Sequence, residues 1–194
     1  MDPLFAKIVF ILGYVIPNFA IRVPHARHYR KAAIRVRRTT RRDAVLLFVT
    51  VSGGFLIPLF YVFTPIFWFA DYSLPLWVGI PGIGVLVLAD WVFWKSHRDL
   101  GIHWSPTLEL REGHRLVTAG IYRRIRHPMY LSIWLLVISQ AMILPNYIAG
   151  FSGIAGFAIL YFLRVGQEEK MMIDEFGSEY EQYMQRTGRL LPKF

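Results

Sequence analysis

The sequence contains no cysteine. Disulfides, thiolate nucleophiles and cysteine-ligated metal sites are excluded with it, and the composition carries no sign of a redox compartment. Charge is scarce as well: 18% of the 194 residues are Asp, Glu, Lys or Arg, against about a quarter in a soluble domain. The shortage is mostly acidic, with 13 Asp and Glu beside 22 Lys and Arg. What is abundant is apolar. Hydrophobic residues make up 55% of the chain and the mean hydropathy is +0.38. Many of the 15 Phe, 10 Tyr and 6 Trp stand near the ends of apolar runs, where amphipathic rings favour a membrane interface.

Five such runs, at 4–21, 44–70, 74–94, 129–144 and 147–163, alternate with polar stretches. A helix needs about 20 apolar residues to cross a bilayer. The pattern therefore predicts an all-α, polytopic membrane protein of about five transmembrane helices. The first run is read as a span rather than a cleaved signal, because a basic stretch and not a small-residue cleavage site follows it. Gly53, Gly54, Pro58 and Pro65 are expected to bend the second. The turn at Pro145 and Asn146 makes the last two, short spans a helical hairpin. Charge tests the layout. Segments 22–43, 95–126 and 164–194 hold all the Lys and Arg except Lys7, and the turns at 71–73 and 145–146 hold none. Five spans place the three basic segments on one side, which the positive-inside rule makes cytoplasmic, with the N-terminus outside. A net charge of +9 confined to loops beside a membrane argues against nucleic acid as the partner; the 22–43 segment reads as a topogenic loop near anionic head groups. The whole is expected to be one integral-membrane domain, 1–94 supplying three spans and 95–194 a functional region with its hairpin at 128–165.

Three clusters with chemical potential fall on the cytoplasmic side of that hairpin: residues 113–122, then Arg126 to Tyr130, then Arg164 with Gln167, Glu168 and Glu169, followed by Phe176, Gly177, Tyr180 and Tyr183. Pro128 suits the first turn of a helix, which places His127 beside free N–H groups, a natural seat for a ligand carboxylate. Arg164 and Glu168 share a face if the fifth helix continues. A basic helix start with an aromatic anchor and a solvated acid pair remain the plain alternatives. Taken together, acids beside a basic cluster suit a zwitterion, its carboxylate at His127 and Arg126 and its cationic end at Glu168 or Glu169.

The ordered set Leu-Val-Thr-x-Gly-x-Tyr at 116–122, Arg-His-Pro-x-Tyr at 126–130, Arg-x-x-x-Glu-Glu at 164–169 and Phe-Gly-x-x-Tyr-x-x-Tyr at 176–183 resembles the isoprenylcysteine carboxyl methyltransferase family, in the form of a prokaryotic, integral-membrane member. The resemblance spans 107–194; residues 1–100 match only as apolar spans. It implies a membrane-embedded O-methyltransferase using S-adenosyl-L-methionine, releasing S-adenosyl-L-homocysteine and acting on a lipophilic carboxylate substrate that enters from the membrane. By position it implies cofactor contacts at His114, Arg115, Leu116, Val117, Tyr122, His127, Pro128, Met129, Tyr130 and Glu168. It implies that Arg164 is the catalytic residue holding the substrate carboxylate. Thr107 falls at a further cofactor position with a poor local match. Ser132 and Gln167 depart from the family pattern, which bears on the substrate rather than the cofactor. A phospholipid N-methyltransferase and an NADPH-dependent sterol or enone reductase of similar fold are the alternative enzymes. The acid pair after Arg164 speaks against NADPH phosphates. A small transporter is the non-enzyme alternative, against which stand the missing inverted repeat and the missing chain of intramembrane charges.

Four further features carry expectations. Asp90 in the third span is a functional candidate by default or an ion-pair partner of Lys95 or Arg98. Ser139 and Gln140 are expected to bond across helices. No metal is expected, since His25, His28, His97 and His103 lack ligand spacing. Ser178 and Glu181 form a capping-box pattern that predicts a short C-terminal helix carrying Tyr180, Tyr183 and Met184.

Overall fold

In the computed structural model the described residues are 1–29, 34–103, 105, 107, 109–111 and 115–193; His114 lies outside them. Among the described residues four helices are long and apolar enough to cross a membrane: α1 (Pro3–Ala26), α2 (Arg41–Phe63), α3 (Leu76–Leu100) and α5 (Tyr147–Phe176). Between the last two lies the shorter apolar α4 (Pro128–Ile143), and α6 (Ser178–Arg186) follows. In hydrocarbon every backbone group must be satisfied within the segment, so apolar runs of this length fold as helices. Large apolar side chains such as Phe48, Phe60, Trp77 and Phe162 point outward around the bundle. The molecule is an integral, multi-pass membrane protein.

The bends take a specific form. Phe10–Val15 in α1 and Ser52–Leu56 in α2 are π-helical turns, each just ahead of a proline, Pro17 and Pro58. Proline has no N–H and its ring crowds the carbonyl four residues back; a widened turn relieves both. The second run stops being helical at Phe63, earlier than its hydropathy suggests. Thr64 is extended ahead of Pro65, as the residue before a proline tends to be.

At the end of the bundle away from the basic segments, Asn146 joins the two polar turns. It is fully buried, accepts from the N–H groups of Ile148 and Ala149, and donates to Phe67 O and Asp71 Oδ1, both at 2.7 Å. Within the membrane, Gln140 Nε2 donates to Gly53 O at 3.1 Å and to Ala149 O at 2.7 Å, and Ser152 Oγ donates to Gly53 O at 2.8 Å. The carbonyl of the π turn in α2 is thereby satisfied from α4 and α5. Ser139 does not bond across helices; its hydroxyl donates to Leu136 O of its own helix.

The basic end is more built than its composition suggests. A short antiparallel ribbon pairs β1 (Ile34–Arg37) with β2 (Glu109–Arg111), tying two basic segments together. Arg38 Nη1 meets Asp174 Oδ2 at 2.6 Å. Asp90 pairs with neither expected cation: Lys95 takes Asp99 at 2.5 Å and Arg98 stacks on Trp94. The capping box expected at Ser178 is also absent. Gly177, at φ +53°, is the N-cap of α6, and Ser178 is already the first residue inside the helix. A left-handed residue there lets α5 end and α6 begin without a linker.

Candidate active site

α5 outlasts its apolar stretch and continues to Phe176, carrying Arg164 and Glu168 on one face beyond the mouth of α4. Four residues at 1.5 Å each separate them by about 6 Å, one helical turn. Both line a cavity of about 210 Å³, room for a ligand far larger than a water, whose share of liquid volume is about 30 Å³. Among the residues singled out in the sequence, Arg115, Leu116, Val117, Tyr122, His127, Pro128, Met129, Tyr130, Arg164 and Glu168 all line it, as does Thr107.

The wall is assembled from distant segments. Asp99 Oδ2 accepts from the Ile121 N–H at 2.8 Å and so holds the 3-10 turn Gly120–Arg123 that carries Tyr122. Gly120 sits at φ +61°, and a methyl in place of its hydrogen would lie 2.1 Å from Asp99 Oδ2; glycine is required there for backbone and space alike. Tyr183 Oη donates to Tyr122 O at 2.6 Å, fixing α6 against the turn. Burial, with Tyr183 next, holds the Tyr122 phenol well above its ordinary range, so at neutral pH it is an uncharged wall and not a base. Burial and the nearby Arg115 lower the pKa of His103, which favours an uncharged imidazole facing the cavity.

The electrostatics differ from the arrangement expected at 126–127. Glu169 is buried and accepts from Arg126 Nε at 2.7 Å and from Arg189 Nε at 3.1 Å, and its Oε1 lies 3.2 Å from His127 Nε2. An internal carboxylate thus already occupies Arg126 and His127. The hydrogen bonds that Arg189 donates to Glu169 raise the pKa of the guanidinium, so the cation is fixed. Glu168 is the other acid: its Oε2 accepts from Tyr130 Oη at 2.6 Å, its Oε1 lies 3.7 Å from His127 Nδ1, and it faces the cavity. The two adjacent glutamates therefore divide, Glu169 binding the wall together and Glu168 presenting charge to the space.

Sequence reasoning missed two contributions. The C-terminal segment closes the wall: Arg126 N and His127 N donate to Gly188 O and Arg189 O at 2.9 and 3.0 Å, and Arg126 Nη1 donates to Thr187 O at 2.8 Å. The N-terminal half also reaches the cavity, through Arg22 of α1 and Leu47, Thr50 and Val51 of α2. No local motif marks these residues, since their relevance lies in the packing. Among the described residues there is no cluster of His and acids suited to a metal.

Fold and site together define a polytopic membrane protein whose helical hairpin and the polar segments beside it line a cavity carrying both acidic and basic side chains. Residues 82–174 match the model of the isoprenylcysteine carboxyl methyltransferase (ICMT) family, and this region supplies most of the cavity's wall. The protein-S-isoprenylcysteine O-methyltransferase of Schizosaccharomyces pombe is 30% identical over 112 residues, 57% of this chain and 48% of that protein. Its human counterpart is 28% identical over 118 residues, 60% and 42%. Methanethiol S-methyltransferase 1 of Bradyrhizobium diazoefficiens is 37% identical over 79 residues, 40% and 26%. The chain thus spans about half the length, or less, of these relatives. The solved structure of the eukaryotic intramembrane Ras methyltransferase ICMT superposes with a TM-score of 0.54 at 21% identity, covering 97% of this chain and 74% of that one. The fold is shared across nearly the whole chain, including the spans that lie outside the family match.

Proposed function

We propose that the chain is one integral-membrane domain acting as an S-adenosyl-L-methionine-dependent O-methyltransferase on the carboxylate of a lipid-like, isoprenylcysteine-type substrate. The observation that carries this reading is the placement of Arg164 and Glu168, one helical turn apart and lining the same cavity. A guanidinium suits an acceptor carboxylate through paired hydrogen bonds; a carboxylate anchored by Tyr130 suits the cationic end of a zwitterionic nucleoside. The wall fits such a group: Tyr122, Tyr180 and Tyr183 offer flat faces, Met129 and Met171 offer adaptable apolar surface, and Arg115 offers a cation on the facing loop. His114, outside the described residues, is assigned to the cofactor by its place in the sequence, with Arg115, Leu116, Val117, Tyr122, His127, Pro128, Met129, Tyr130 and Glu168.

The cofactor supplies an electrophilic methyl group on a sulfonium. The chain supplies position and dryness. Arg164, 5% exposed, orients the acceptor oxygen; because a carboxylate is already an anion, no general base is needed. Glu169 orients the imidazole of His127 and keeps Arg126 out of the cavity's charge balance. The acceptor enters from the bilayer side and the soluble cofactor from the side of the basic segments, which is taken as cytoplasmic by the charge distribution; the N-terminus then lies outside.

A thiol acceptor is the second reading, favoured by the identity to the methanethiol S-methyltransferase. It would make little use of a buried guanidinium. Calorimetry with S-adenosyl-L-homocysteine and a methyl-transfer assay on purified protein test the proposal. Glu168→Gln is expected to weaken homocysteine-nucleoside binding at least tenfold; Arg164→Ala is expected to leave that binding within about twofold while abolishing transfer to a carboxylate. Equal binding by wild type and Glu168→Gln overturns the cofactor assignment, and full activity of Arg164→Ala on a thiol selects the second reading.

A further inference from the structure

α1 turns a polar stripe inward. Tyr14 and Asn18, one helical turn apart, are buried, and Asn18 Nδ2 donates to Tyr14 O at 3.0 Å. Arg22 continues the same face, four residues further on, and lines the cavity. An arginine at the end of a first span ordinarily snorkels to the head groups. Arg22 is instead turned into the protein. Its Nε is enclosed from solvent, and its guanidinium carbon lies 5.4 Å from the centroid of Phe93, a fully buried ring of α3. A planar guanidinium is held in place by such a face.

The cavity therefore carries arginines from both halves of the chain, Arg22 on α1 and Arg164 on α5. Arg126 is held by Glu169. Arg22 lies outside the family match at 82–174. Methylation of a carboxylate has a consequence for charge. The acceptor oxygen bonds to the methyl carbon, the carbon–sulfur bond of the sulfonium breaks, and its electron pair stays on sulfur; no proton is released. An anionic acceptor becomes a neutral ester. A cation that faces the cavity without orienting the reacting oxygen therefore attracts the acid and loses that attraction once the ester has formed. Direct contact is not required: at an effective dielectric of about 20, a full charge about 10 Å away still changes an equilibrium by roughly tenfold.

We propose that Arg22 is a specificity-determining residue of the acceptor site, a cation supplied by the first span that draws the acceptor in as an anion and releases it as an ester. This deepens the methyltransferase reading and rests on it. Arg164 orients the oxygen that reacts. Arg22 sets how strongly the acid is preferred over the ester, and so acts on acceptor affinity rather than on the methyl-transfer step.

The test compares N-acetyl-S-farnesylcysteine with its methyl ester. Binding of each is measured by calorimetry on purified protein loaded with S-adenosyl-L-homocysteine, and KM and kcat for the acid are measured on the same preparations. Wild type is expected to bind the acid more tightly than the ester. Arg22→Gln is expected to lower that preference by about tenfold, through weaker binding of the acid alone; ester and nucleoside binding hold within about twofold. KM for the acid rises by a similar factor while kcat stays within about threefold. Arg22→Lys keeps the charge and loses the planar stack on Phe93, and is expected to restore most of the preference. Should the glutamine variant not fold, loss of the preference in a folded Arg22→Lys overturns the proposal. An unchanged ratio of acid to ester binding in Arg22→Gln, or an equal loss of both as a merely structural role would give, overturns the assignment of Arg22 and leaves the methyltransferase reading intact. A wild type that neither binds the nucleoside nor methylates the acid overturns that reading and this proposal with it.

Discussion

Removing Glu169 tests whether burial, and not the count of ion pairs, sets what the charge cluster contributes. The carboxylate accepts from Arg126 Nε at 2.7 Å, lies 3.2 Å from His127 Nε2, and takes two nitrogens of Arg189. The side chains of Arg126 and Glu169 are 11% and 7% exposed. Deleting one partner of a buried pair typically costs about 3–5 kcal/mol, because the remaining charge is left without compensation. Two features place Glu169→Ala near the lower end. Arg126 keeps the Thr187 carbonyl at 2.8 Å, and Arg189, 43% exposed, regains water. A loss of about 3 kcal/mol corresponds to a fall in melting temperature of roughly 6–12 °C for a chain of this size. The matched control is Arg38→Ala. That pair is as short, 2.6 Å, but its side chains are 43% and 42% exposed, so its loss is expected to cost under about 1 kcal/mol. Thermal unfolding of both variants in one detergent, followed by tryptophan fluorescence, measures the difference. If Glu169→Ala and Arg38→Ala melt together, the reasoning from burial is wrong.

Gly120→Ala is expected to weaken S-adenosyl-L-homocysteine binding by tenfold or more with a smaller change in melting temperature, since the new methyl collides with Asp99 and displaces the turn carrying Tyr122; calorimetry against wild type decides it, and unchanged affinity removes that turn from the cofactor site. Asn146→Ala deletes two accepted and two donated hydrogen bonds at a fully buried N-cap. At about 1 kcal/mol for each net bond it is expected to cost roughly 2–4 kcal/mol, read as a lowered melting temperature with nucleoside affinity unchanged in the surviving folded protein. Gly156→Leu is expected to force α2 and α5 apart at Val49 and to lower the yield of folded protein sharply, read by size-exclusion chromatography in detergent; a well-folded variant would contradict the close approach of the two helices.

The membrane class, the five helices and the hairpin were legible in the chain because hydropathy over about 20 residues is a local property, and lipid leaves such a run no option but a helix. The residues of the polar wall were legible too, as far as they stand in ordered strings with chemical character: Arg115 to Val117, Tyr122, His127 to Tyr130, Arg164 and Glu168 come to one cavity. Where the sequence misled, a competing local choice won. Gly177 took the cap that Ser178 was expected to supply, and Asp99, four residues after Lys95, took the cation expected for Asp90. Only the tertiary structure decided how the two glutamates divide, since that depends on Arg189 returning from the C-terminal segment to meet Glu169. It alone decided that Arg22, Leu47, Thr50 and Val51 share the cavity with Phe157 and Arg164. The meeting of α2 with α5 rests on contacts between residues roughly 100 positions apart in the chain, formed where glycines let helices touch, and hydropathy summed along one segment carries no record of which other segment will lie beside it.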